Sequence, residues 1–128
     1  MSPQFTLSIL PEVFAVCRLS PDTPIPAWAA GGFLSLTRTA EELSIVCAQA
    51  QVPDSVKSEK GWRCLKVAGP LDLSLMGILA ALTAPLAQAQ IAIFAISTYD
   101  TDYLLVKEKD LEQAVHVLNQ AGHSIQPD

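Results

Sequence analysis

The stretch Ile91 to Asp110, IAIFAISTYDTDYLLVKEKD, constrains the fold of this chain more than any other. A nearly unbroken apolar run stops at Ser97-Thr98-Tyr99-Asp100-Thr101-Asp102. A second apolar run, Tyr103 to Val106, follows, and then a charged helix start. Short apolar runs bounded by hydroxyl and carboxylate side chains predict a strand, a tight turn and a returning strand. A hairpin tip with so many small polar groups can hold an amine or a carboxylate. It carries no evident machinery for breaking a bond.

The segments around this hairpin order themselves by the same reasoning. Trp62 to Val67 reads as a strand closed by Gly69-Pro70. A helix is expected from about Ser74, with Leu75, Ile78, Leu79, Leu82 and Leu86 on its apolar face and Asp72 or Ser74 as N-cap. Pro85 lies inside this pattern and predicts a kink or an early end near Ala84, because it removes one helical hydrogen bond. After the hairpin, Asp110 and Gln113 resemble a capping box. Leu111, Ala114, Val115 and Leu118 form the buried face of a second helix, and Gly122 is its stop. A last strand, His123 to Gln126, completes a β-α-β-β-α-β order, the split βαβ or ferredoxin-like unit.

The first half repeats this grammar in reduced form. Thr6 to Leu10 and Val13 to Leu19 read as two strands bent at Pro11, and Phe33 to Thr37 and Leu43 to Ala48 as two more. PDTPIPAWAAGG has room for one helical turn at Pro26 to Ala30. The expected fold class is therefore α+β. Two ferredoxin-like modules, the first degenerate, share antiparallel sheet with helices on one face. The expected division is residues 1–61 and 62–128. In IAIFAIST both alternating sets are apolar: Ile91, Ile93 and Ala95 on one face, Ala92, Phe94 and Ile96 on the other. A sheet wet on one side alternates, so the second face is expected to be covered by the other half or by a second subunit. A homodimer is the resulting expectation.

Composition excludes several classes. A net charge of −5 with eight unclustered basic residues argues against nucleic acid as a partner. The apolar stretches fall short of the roughly 20 residues that a membrane span needs. No basic region followed by an apolar run opens the chain, so the expectation is a cytoplasmic protein without a signal peptide. Cys17, Cys47 and Cys64 have no CxxC spacing and read as reduced core thiols. His116 and His123 have no carboxylate or thiol in a recognisable ligand set, so neither a metal nor a cofactor is expected. GxSxG, P-loop, GxGxxG and HExxH motifs are all missing, which makes an enzyme the improbable reading.

Four segments carry a resemblance. They are IPAWA (Ile25 to Ala29), FLSLTRTAEELSIVC (Phe33 to Cys47), GWRCLKVAGPLDLSLMGILAAL (Gly61 to Leu82) and ISTYDTDYLLVKEKDL (Ile96 to Leu111). In order, spacing and residue type the chain resembles the ACT domain superfamily of small βαββαβ amino-acid-binding regulatory modules. The closer similarity is to its short tandem-ACT branch, which includes the arginine-sensing proteins of animal cytosol and small bacterial proteins. The resemblance implies that a free amino acid binds between two modules. It places Gly69, Pro70, Leu71 and Asp72 on one wall and Ser97, Thr98, Tyr99, Asp100, Thr101 and Asp102 on the other. The chemistry is compatible, since helix N-termini attract carboxylates and side-chain carboxylates pair with an ammonium group.

Each candidate also has a plainer role. Asp72 is equally a helix cap, Asp100 and Asp102 are ordinary turn formers, and Ser97 and Thr98 end a strand. Arg38 could grip a carboxylate, with Ser35 and Thr37 on the same strand as weaker candidates, or it could pair with Glu41 or Glu42. Trp28 and Trp62 read as packing anchors. The reading that follows is an amino-acid-binding regulatory protein with a separate regulated partner. The alternative is a ligand-free structural or interaction module.

Overall fold

The computed structural model describes residues 4–69 and 77–127. Among the described residues there are seven strands: β1 (Thr6–Leu19), β2 (Ser35–Arg38), β3 (Leu43–Ala48), β4 (Lys57–Val67), β5 (Ile93–Ser97), β6 (Asp102–Lys107) and β7 (Ser124–Pro127). Two helices accompany them, α1 (Ile78–Gln88) and α2 (Leu111–Gln120). The result is the expected α+β, ferredoxin-like arrangement. The chain forms two units, residues 1–11 with 63–128, and residues 12–62, so the boundaries fall inside β1 and β4.

In the larger unit the strands run β7-β1-β4-β6-β5. The β4-α1-β5-β6-α2-β7 order anticipated from sequence is present, with the start of β1 standing between β7 and β4 as an additional strand. Period-2 alternation puts Leu7, Leu65, Val67, Leu104 and Val106 on one face of this sheet. Leu82 and Leu86 of α1 and Ala114 and Leu118 of α2 pack against them. All nine are fully buried. Burying one such leucine contributes about 1.5–3 kcal/mol, so this helix-covered face is the main hydrophobic stabilisation of the unit.

The two helices end by the same device with different residues. After α2, Gly122 takes φ 99°, its N–H reaches the carbonyl of Asn119, and the N–H of His123 reaches that of Leu118. This is the stop expected at Gly122. After α1, Gln90 adopts φ 61° and the N–H of Ile91 donates to Leu86. A left-handed glutamine is the costlier choice.

Three local expectations are corrected. Of the kink or early end expected near Ala84, the early end does not occur: helix α1 continues through Pro85 to Gln88. Asp110 makes no side-chain cap, because the chain enters α2 through a 3-10 turn, Glu108–Asp110, that already holds Asp110 at φ −102° and ψ −2°. Thr6 to Leu19 is one strand, not two bent at Pro11. Proline is tolerated there because β1 pairs with β7 over Thr6 to Ile9 and with β3 over Phe14 to Leu19. Pro11 sits in the gap, where the missing N–H breaks neither ladder.

The smaller unit, strand order β2-β3-β1-β4, has no α-helix. The expected turn at Pro26 is a single turn closed by the N–H of Ala29 on the carbonyl of Pro26. Ala15, Cys17, Leu43, Ile45 and Cys47 share one sheet face, and Ala29, Val52, Trp28 and Val56 pack on it in place of helices. All three cysteines are free thiols and buried.

Candidate functional site

The β5–β6 hairpin is held in register from Ile93–Val106 to Ser97–Asp102. Tyr99 and Asp100 form its tip, and both keep negative φ. Two-residue hairpin tips normally need positive φ to match strand twist. Here Thr98 supplies the missing restraint. Its N–H and its hydroxyl both donate to the Thr101 carbonyl (2.8 and 3.1 Å), and the Thr101 N–H approaches the Thr98 oxygen at 3.3 Å. Below the tip, the Ser97 hydroxyl donates to the Asp102 carboxylate at 2.6 Å.

Thr101 ties this hairpin to the next strand. It is only 4% exposed, and its hydroxyl donates to the carbonyl of Val67 at 2.7 Å. One residue on, the N–H of Ala68 donates to Thr6. The end of β4 is thus fixed from both sides. Gly69 is exposed. Pro70, Leu71 and Asp72, with the predicted helix start at Ser74, lie outside the described residues.

The structure therefore sorts the polar residues picked out in the sequence. The hydroxyls of Thr98 and Thr101 each donate to a backbone carbonyl. Ser97 is committed to Asp102, which is half-buried. Tyr99, at 81% exposure, and the exposed Asp100 face outward. Ser35, Thr37 and Arg38 belong to the other unit. There Arg38 does not pair with Glu41 or Glu42. Its guanidinium donates to the carbonyls of Pro21 and Thr23, pinning the proline-rich segment to β2. Glu41 and Glu42 instead give their backbone N–H groups to the Thr39 hydroxyl.

His123 is the residue whose importance the sequence concealed. It is 4% exposed; Nδ1 accepts the Phe5 N–H at 3.0 Å and Nε2 faces the Ala81 carbonyl at 3.2 Å. Since Nδ1 accepts, Nε2 carries the proton and donates. Ala81 is four residues before Pro85, so its carbonyl is the one that proline leaves without a helical donor. The ring also stacks on Phe5, with centroids 5.8 Å apart. A proline inside a helical pattern was the available signal, because the orphaned carbonyl requires a donor from elsewhere. A groove of about 410 Å³ beside His123 is lined by Gly77, Ala80, Ala84 and Pro85. The imidazole there is already committed to two backbone groups, so the groove offers no charged partner to a ligand.

The Cys17 thiol is pushed up to about 11 by burial and, secondarily, by Cys47 beside it. Burial raises Cys47 as well. Neither is suited to nucleophilic work at neutral pH. Among the described residues no group of three or more His, Cys, Asp and Glu could hold a metal, and no helix is long and apolar enough to cross a membrane.

Comparisons with known proteins add an independent line. A model of the ACT domain matches residues 57–120. A second model, describing an N-terminal domain, matches residues 12–55. The chain is 31% identical over 97 residues to the cytosolic arginine sensor for mTORC1 subunit 1 of Bos taurus, covering 67% of this chain and 30% of that protein. The chain thus spans about a third of the curated relatives it matches. Among solved structures, a protein of Agrobacterium tumefaciens is 43% identical with a TM-score of 0.94, covering 99% of this chain and 96% of that one. The aspartate kinase of Clostridium acetobutylicum shares the fold, at a TM-score of 0.67 and 13% identity, over 90% of this chain and 34% of that one.

Proposed function

We propose, from the premise that this chain belongs to the ACT domain family, that it is an amino-acid-binding regulatory protein. The ligand site is the β5–β6 hairpin tip together with the segment that leaves β4. The observation that supports this reading is the Thr101 hydroxyl on the Val67 carbonyl, which ties the hairpin to the end of β4. Asp100 and Asp102 then offer negative charge to a ligand ammonium group. The Bos taurus relative is a cytosolic arginine sensor, which supports a free amino acid as the ligand class, and the two carboxylates favour a cationic one.

The protein works in the cytoplasm, has no catalytic activity of its own, and acts through a separate partner that distinguishes its bound and free forms. Pro70, Leu71 and Asp72 belong to the site on the family resemblance, and Ser35, Thr37 and Arg38 are secondary to it. The strong exposure of Tyr99 favours a second reading, a ligand-free interaction module that uses the tip as a protein contact.

A thermal-shift screen against the common amino acids separates the two. A ligand at about 100 times its Kd stabilises the folded state by about 2.7 kcal/mol. A shift with one or two amino acids that disappears in Asp100→Asn is the expected result. No shift with any amino acid overturns the sensor reading and leaves the interaction module.

A further inference from the structure

We propose that Cys17 and Cys47 form a two-coordinate site for a soft monovalent cation, Cu(I), inside the smaller unit. The inference starts from strand register. Strand β1 runs antiparallel to β3, with Ala15 opposite Cys47 and Cys17 opposite Ile45. Both cysteines therefore stand on one sheet face, diagonally across the ladder. They are at most 1% exposed, and their thiols are hydrogen-bonded to each other. Both belong to the unit formed by residues 12–62.

Distance distinguishes a bridging ion from a disulfide. Diagonal neighbours in an antiparallel pair have Cα atoms about 7–8 Å apart. An unstrained disulfide needs about 4.4–6.8 Å, because its sulfurs close to about 2.05 Å. A metal between the sulfurs lengthens that link. Two bonds of about 2.3 Å, as in a zinc thiolate, hold the sulfurs about 4.6 Å apart when set in a line. The diagonal pair accepts the longer link without drawing the strands together.

The ligand set selects the ion. Among the described residues no third His, Cys, Asp or Glu joins the pair, so zinc lacks its four ligands. Two sulfurs complete the linear coordination of Cu(I), and soft sulfur favours it over harder ions. The ion displaces both thiol protons to solvent with no electron transferred, so the S–Cu–S unit carries one negative charge. Burial dominates the Cys17 thiol and pushes it up, and the Lys60 ammonium is the opposing charge. That ammonium balances the bound unit. Leu43 and Ile45 on the same face keep the site dry. Its cover, Trp28, Ala29, Val52 and Val56, is turn and loop, and local opening there admits a small ion.

Anaerobic titration of the reduced full chain with Cu(I), buffered by bathocuproine disulfonate, tests it. The expected result is a single ion withdrawn from the chelator, with about 2 protons released per ion at about pH 7. Tm should rise, because an ion held by the folded state stabilises it. X-ray absorption should find sulfur neighbours alone. Cys17→Ala and Cys47→Ala lose the ion and Cys64→Ala keeps it, each variant holding wild-type circular dichroism. The wild-type readouts decide the question even where a cysteine variant does not fold. A wild type that leaves all copper with the chelator overturns the proposal. So does copper bound with a lowered Tm, which marks capture by the unfolded chain, or a folded Cys17→Ala that binds as tightly as wild type.

Discussion

His123→Ala tests whether a side chain from the end of α2 repairs the defect that Pro85 makes in α1. Its ring accepts from Phe5 and donates to Ala81 while 4% exposed. Truncation leaves two backbone groups without partners, and each costs about 1–3 kcal/mol when buried. The Phe5 end is only half-buried and can hydrate, so its share belongs at the low end. Losing the stack with Phe5 adds about 0.5–1.5 kcal/mol. The expected loss is about 2–4 kcal/mol, read from urea unfolding followed by tryptophan fluorescence.

The sharper measurement is the double-mutant cycle with Pro85→Ala. Alanine restores an N–H at position 85 that can serve the Ala81 carbonyl, so His123→Ala should cost about 1 kcal/mol less in that background. A coupling indistinguishable from zero, or a His123→Ala loss below about 1 kcal/mol, would refute the claim that the imidazole replaces the missing helical donor.

Thr101→Val keeps the shape of the side chain but leaves the Val67 carbonyl without its buried donor. It should lower stability by about 1–3 kcal/mol and speed amide exchange at Ala68, whereas an unchanged exchange rate would show that the hairpin does not hold the end of β4. The core thiols set an alkaline limit. Cys17 is raised to about 11 by burial and then by Cys47, so the folded state retains a proton that the unfolded chain releases from about pH 9. Stability should therefore fall as pH rises between about 9 and 11, with Cys17→Ala and Cys47→Ala flattening the decline. Native protein should also resist a thiol reagent at pH 8 until unfolded; rapid modification of Cys17 would contradict its burial.

Much of the larger unit was legible locally. The β4-α1-β5-β6-α2-β7 order follows from period-2 and period-3.6 apolar spacing, and Gly122 as a helix stop follows from its freedom at positive φ. The tip STYDTD identifies itself as a hairpin because its polar residues lie between two apolar runs. Its chemistry was less legible. Sequence could not tell that Thr98 and Thr101 serve backbone groups while Tyr99 and Asp100 face outward, because adjacent residues with similar donors were sorted by contacts to Val67 and across the turn.

What the sequence alone determined, then, was the identity and order of elements whose signals repeat within a few residues. Tertiary structure decided the rest wherever the partner lies far along the chain. Pro11 passes inside one long strand because β1 changes neighbours there, from β7 to β3. Arg38 turns from the adjacent glutamates to carbonyls at Pro21 and Thr23. Helix α1 outlasts Pro85 because His123, 42 residues beyond Ala81, supplies the donor that proline lacks. Backbone groups must be satisfied from wherever a donor can reach, and that reach is measured through space, not along the sequence.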